Sequence, residues 1–126
     1  MKFQPDLIKV QSISGYGPGW VGIGGEKITQ SVVIGSRGER FPWACSRFAD
    51  LTPAHFVLLA DLNTELVIFG SGKQIRFPRV TWISSLIHKQ IGIETMDTQA
   101  ACRTYNILAS EGRSVALALL LESDLT

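Results

Sequence analysis

Apolar positions along the chain change rhythm about halfway. In the first third they alternate with polar ones or fall between glycine-rich turns, the signature of β structure. Ile8, Val10 and Ile13 suit one strand, Gly15-Tyr16-Gly17-Pro18-Gly19 a turn, Trp20-Val21-Gly22-Ile23 the returning strand, and Gly24-Gly25 a second turn. Residues 27–35 read as one longer strand, with Ile28, Gln30, Val32 and Ile34 on one face and Lys27, Thr29 and Ser31 on the other. Ser36-Arg37-Gly38-Glu39 is a turn, and Arg40-Phe41-Pro42-Trp43 an edge segment, because proline cannot donate to a ladder.

In the second half helical spacing takes over. Thr52 caps a helix that Pro53 opens, since proline at the first position loses only an N–H that had no partner. Phe56, Leu59 and Leu62 form its core face, to about Asn63. Leu66-Val67-Ile68-Phe69 is a buried strand ending at Gly70-Ser71-Gly72. After a loop holding Lys73 and Arg76, Pro78 opens a second helix whose buried stripe is Val80, Ile83, Ile87 and Ile91, with Gly92 as its stop. Ile93-Glu94-Thr95-Met96 is extended again. Asp97 or Thr98 then caps a helix running to about Glu111, where Gly112 supplies a left-handed residue. Residues 114–121, Ser-Val-Ala-Leu-Ala-Leu-Leu-Leu, are apolar on both faces, as a strand covered on both sides must be.

Strands alternating with helices imply parallel pairing, at least between residues 66–69 and 93–96. The expected fold is therefore α/β in three layers. A central mixed, mostly parallel sheet is flanked by helices, and the first third adds an antiparallel β layer. One domain over residues 1–126 suits a chain of 126 residues with no linker or repeat.

Composition narrows the function classes. With a formal net charge of +1 and no run of like charges, a concentrated basic face for nucleic acid or acidic membranes is not expected. The longest apolar run, residues 115–121, is far short of the ~20 residues needed to span a bilayer. The opening residues show neither a secretory core nor an Arg-rich presequence pattern, so a cytoplasmic protein with reduced thiols is expected. The two cysteines, Cys45 and Cys102, lack metal-site spacing, and neither a metal nor a cofactor is expected.

Candidate chemistry gathers where the parallel strands end, the usual place for ligands in open α/β sheets. Gly70, Ser71 and Gly72 offer backbone N–H groups there, and Asp97 and Thr98 stand at a helix N-terminus, which favours anions. The same residue types also serve as a tight strand exit and a cap. On the last helix Gln99, Arg103, Asn106 and Ser110 make a narrow polar stripe. Arg103 beside Asn106 is a carboxylate- or phosphate-gripping pair, a partner-binding ridge, or a solvated face. Cys102 is too far into the helix for dipole activation. Gly17-Pro18-Gly19-Trp20-Val21-Gly22 matches G-x-G-x-x-G but opens no helix, so it reads as a hairpin. His55 and His88 suit helix ends. Tyr16, Trp20 and Trp43 are an aromatic patch or part of the core. No recognisable catalytic set emerges.

With Gly70-Ser71-Gly72, Gly92-Ile93-Glu94, Met96-Asp97-Thr98, Ala100-Ala101-Cys102-Arg103-Thr104-Tyr105-Asn106 and Glu111-Gly112-Arg113, the chain resembles a known family. Its members are the small bacterial and archaeal proteins of unknown function that share a domain with mitochondrial respiratory complex I assembly factor 3. The resemblance implies a three-layer α/β fold in which one sheet strand runs antiparallel, and it assigns no catalytic residues. It further implies a protein partner, such as a respiratory complex subunit or assembly protein, in a family for which no enzymatic activity is established. The alternative is a binder or enzyme for a small anionic metabolite in the crevice between residues 70–72 and 97–103.

Overall fold

The computed structural model describes residues 10–122. Eight strands and three helices follow in the order β1 (Ile13–Gly17), β2 (Trp20–Ile23), β3 (Glu26–Ile28), β4 (Val32–Gly35), β5 (Arg40–Pro42), α1 (Pro53–Ala60), β6 (Leu66–Gly70), α2 (Ser84–His88), β7 (Gly92–Met96), α3 (Thr98–Ser110) and β8 (Val115–Leu119). Short 3-10 turns at Phe48–Asp50 and Val80–Trp82 precede α1 and α2.

The central sheet has five strands in the order β5-β4-β8-β6-β7. β6 pairs in parallel with both β7 and β8, whereas β4 is antiparallel to its neighbours β5 and β8. One strand, β4, therefore runs against the rest. The remaining three strands form a small antiparallel sheet, β1-β2-β3.

Strand alternation divides the core into two layers. Ile34, Ile68, Leu117 and Leu119 face α3 and the small sheet, where they meet Ala101, Cys102, Tyr105, Val21 and Ile23. Val33, Val67, Phe69, Ala116, Ala118 and Leu120 face α1 and α2. An aromatic cluster seals that second layer: Trp43 lies edge-on to Phe56 at 5.7 Å and to Phe69 at 5.9 Å, and Phe56 stacks on Trp82 at 6.1 Å. Every residue of β8 is buried, as its double-sided apolar pattern predicts.

The start of α1 and both ends of α3 follow the sequence closely. The Asp97 side chain accepts a hydrogen bond from the Ala100 N–H, and Gly112 takes a φ of +83° just past α3. Ahead of α1, His55 Nδ1 accepts the Thr52 N–H at 3.1 Å while Nε2 donates to the Ala44 carbonyl at 2.8 Å. His55 is thus a cap, as its position suggests.

Four local expectations fail. The first strand starts at Ile13: Val10 is exposed and outside it, and Ile8 lies outside the described residues. The first turn is shorter than expected, since Gly15, Tyr16 and Gly17 remain in β1. Residues 27–35 are two strands in two different sheets. Buried Ser31 marks the crossing, its Oγ accepting the Leu121 N–H at 2.9 Å and its carbonyl the Trp43 N–H at 2.9 Å. The second helix begins at Ser84 rather than Pro78, and its expected core stripe splits: Ile91 is buried and Ile83 packs partly against the core, but Val80 and Ile87 face outward. Trp82 and Leu86 are buried in their place, and the helix stops at His88, with Gln90 at a φ of +59°, before Gly92 begins β7.

Candidate functional site

The loops leaving β6 and β7 meet through their backbones. The Ser71 N–H donates to the Met96 carbonyl at 2.9 Å, and the Thr98 N–H to the Gly72 carbonyl at 2.8 Å. Ser71 is fully buried. Its hydroxyl donates to the Gln74 carbonyl at 2.7 Å and accepts the Arg76 N–H at 2.8 Å, so it ties the loop together. At Gly70 an added Cβ would lie 2.6 Å from Leu119 Cδ2 and 3.1 Å from Ala101 Cβ. The absent side chain lets α3 settle on the sheet. Gly72, at a φ of +106°, adopts a conformation that other residues resist.

Above this junction opens a cavity of about 620 Å³, lined by Gly72, Asp97 and Thr98 together with Arg76, Glu122 and the Gly17-Pro18-Gly19 hairpin turn. Three of its charged side chains, Asp97, Arg76 and Glu122, are already engaged. Asp97 caps α3. Arg76 forms an ion pair with Glu122, donates to the Ser71 carbonyl at 2.6 Å and lies over the Phe48 ring at 4.8 Å. The second carboxylate oxygen of Glu122 accepts the Phe48 N–H at 2.7 Å. Two carboxylates, Asp97 and Glu122, thus offset the cations Lys73 and Arg76 around the cavity. Charge alone gives an anion no advantage there.

Arg103 and Asn106 are elsewhere. Neither lines the cavity. Arg103 is exposed and donates to the Tyr16 hydroxyl at 3.1 Å, a bond that raises the guanidinium pKa further. Asn106 is committed to Ile13: its side-chain oxygen accepts the Ile13 N–H at 2.9 Å and its amide donates to the Ile13 carbonyl at 2.8 Å. Adjacent Tyr105 is buried and donates to the Gln11 carbonyl at 2.6 Å. The two residues of the expected gripping pair therefore serve different ends, one at the surface and one anchoring β1 to α3.

The remaining candidates are structural. Burial pushes the Cys102 thiol up to about 12, far from the thiolate a nucleophile requires. Trp43 is buried and its indole N–H donates to the His55 carbonyl at 3.1 Å, whereas Tyr16 and Trp20 stay partly exposed. The G-x-G-x-x-G match is the β1–β2 hairpin, with Gly17 paired to Trp20. Among the described residues no group of three His, Cys, Asp or Glu side chains could hold a metal, and no helix is long and apolar enough to cross a membrane. Sequence reasoning missed the Arg76–Glu122 pair. The partners are 46 residues apart, and no local pattern links them.

Residues 13–120 match the family model described as protein of unknown function (DUF498/DUF598). An uncharacterised protein of Rhodobacter capsulatus is 33% identical over 120 residues, covering 93% of this chain and 90% of that one. Human NADH dehydrogenase [ubiquinone] 1 alpha subcomplex assembly factor 3 is 30% identical over 80 residues, 62% of this chain but only 44% of that protein. The crystal structure of a Bordetella parapertussis protein superposes with a TM-score of 0.86 at 31% identity, over 92% of this chain and 99% of that one. The three-layer fold and the sequence match agree, and the chain belongs to the DUF498/DUF598 family of proteins of unknown function.

Proposed function

We propose that the protein is a non-catalytic interaction or assembly factor that docks a protein partner on the exposed stripe of α3. The observation that carries this reading is the commitment of the candidate chemical groups to the fold: Ser71, Asp97, Asn106, Tyr105 and His55 each hold backbone atoms. Arg103 and Gln99 remain at the surface, Arg103 bonded to partly exposed Tyr16 and Gln99 at the edge of the cavity. The similarity to the human assembly factor supports a partner of the same kind, a respiratory complex subunit or assembly protein. Crosslinking pull-down from the native host, comparing the tagged protein with a Gln99→Ala, Arg103→Ala variant, tests it. Enrichment of such a subunit that the variant loses supports the reading. Recovery of no specific partner sinks it, and equal recovery by the variant moves the surface off α3.

A second reading rests on the cavity, whose volume of about 620 Å³ suits a small metabolite. An anionic ligand there would compete with Glu122 for Arg76. Thermal stabilisation by such an anion, lost in Arg76→Gln, would favour this reading. A flat response across anionic metabolites would remove it.

A further inference from the structure

We propose that the segment from Ile75 to Ile87 docks the protein onto an anionic lipid surface. Between Leu66 and Ile93 the chain carries four of its twelve Lys and Arg residues and none of its eleven Asp and Glu residues. Four of the apolar side chains in that stretch, Ile75, Phe77, Val80 and Ile87, face outward. After Gly72 the chain bends and runs without regular structure to Arg79: Arg76 is held by the Ser71 carbonyl and Glu122, while its neighbours Ile75 and Phe77 are 53% and 73% exposed. Val80 is 73% and Ile87 55% exposed. The Ile83 N–H donates to the Val80 carbonyl at 3.2 Å and the Ile87 N–H to the Ile83 carbonyl at 3.0 Å, so Val80 and Ile87 lie along one side while Ile83 between them packs partly against the core. Exposed Arg79 and Lys89 border it, Arg79 lying over the Trp82 ring at 5.6 Å and Lys89 pairing with Asp61 at 3.7 Å.

Glu122 pairs with Arg76 and Asp61 with Lys89, yet the border keeps a positive excess, and protruding aliphatic and aromatic side chains beside such an excess are the pattern of an interfacial segment. Lipid acyl chains accept such side chains without a matching pocket. Each cation held near an acidic headgroup strengthens partitioning roughly fivefold. Outside this stretch acidic residues outnumber basic ones, so the field of an acidic surface would turn the segment towards it. The central sheet separates α2 from α3, so docking on this side leaves the α3 stripe open to a protein partner.

The test is flotation of the full chain with phosphatidylcholine vesicles, with and without about 30% phosphatidylglycerol, at low and high salt. Binding to the acidic vesicles only, weakened by salt, is expected. Phe77→Ser with Val80→Ser should reduce partitioning about tenfold or more with the melting temperature unchanged, and Arg79→Glu should reduce it at least fivefold. Gln99→Ala with Arg103→Ala should leave it intact, which separates this surface from the α3 stripe. Failure to bind acidic vesicles overturns the proposal, as does binding that the Phe77/Val80 variant retains. A dimer in lipid-free sedimentation that this variant abolishes would also overturn it and assign the ridge to a second copy of the chain.

Discussion

Asn106 holds Ile13 by both sides of its backbone: the side-chain oxygen takes the N–H at 2.9 Å and the amide gives to the carbonyl at 2.8 Å. The side chain acts as a piece of β ladder, fastening the small sheet to α3. Asn106→Ala should cost about 2–3 kcal/mol, because two half-buried backbone groups lose their partners together. Asn106→Asp should be no milder, since it retains the acceptor but turns a carboxylate oxygen towards the Ile13 carbonyl. Urea unfolding measures both, and an Asn106→Ala loss below about 0.5 kcal/mol would remove the clamp from the stability account.

At Gly70 the helix layer and the neighbouring strand both crowd the backbone, an added Cβ lying 2.6 Å from Leu119 Cδ2. The Cβ of Gly70→Ala would lie 3.1 Å from Ala101 Cβ, which sits on the backbone of α3 and can move only with the helix. The expected loss is about 1–3 kcal/mol, the usual penalty for overpacking. Ala101→Gly opens space at the same point, so the double variant should recover part of the loss after allowing ~1 kcal/mol for glycine in a helix. A double variant whose losses simply add would show that the contact does not limit packing.

Much of the fold was legible because several signals agreed at one place. In α3 an Asp cap, an apolar face and a terminal Gly all mark the same boundaries, and β8 has no polar residue to contradict a doubly covered strand. The second helix was misread because its segment is apolar on two faces. Val80 and Ile87 share one, and Trp82 and Leu86, four residues apart, share the other, with Ile83 packed partly against the core. Periodicity detects both stripes equally well. Only tertiary structure decides between them, through the aromatic cluster in which Trp82 lies 5.3 Å from Phe48. At the candidate site, adjacency along the chain indicated that the two loops meet. It could not indicate that Asn106 spends its side chain on a residue 93 positions away.

Arg76 and Glu122 join the loop after β6 to the segment after β8, with both side chains about one-third exposed. Partial solvent access keeps the coupling modest. A double-mutant cycle with Arg76→Met and Glu122→Gln should give about 1 kcal/mol, well below the cost of breaking a buried pair. Arg76→Met alone should cost more than Glu122→Gln alone. The arginine also serves the Ser71 carbonyl and the Phe48 ring, whereas glutamine can still accept the Phe48 N–H. The reverse order would show that the carboxylate's contact with Phe48 dominates this junction.

Burial raises the Cys102 thiol from 9.0 to about 12, and it raises the Tyr105 phenol as well. Both groups are neutral when protonated, so the folded state keeps protons that the unfolded chain releases. Their contribution is fully present below pH 9 and falls as pH climbs towards 12, where the folded thiol itself ionises. One such thiol lowers unfolding free energy by at most about 1.4 kcal/mol per pH unit in that window. Urea midpoints measured from pH 8 upwards should therefore decline steeply in the wild type and less steeply in Cys102→Ala, with the remaining slope reduced again in Tyr105→Phe. The same burial predicts that at pH 8 a thiol reagent labels Cys45, which is partly exposed, well before Cys102, which reacts only on unfolding. Equal labelling rates in the native protein, or parallel alkaline slopes in wild type and Cys102→Ala, would show that water reaches the face of α3 packed on the central sheet.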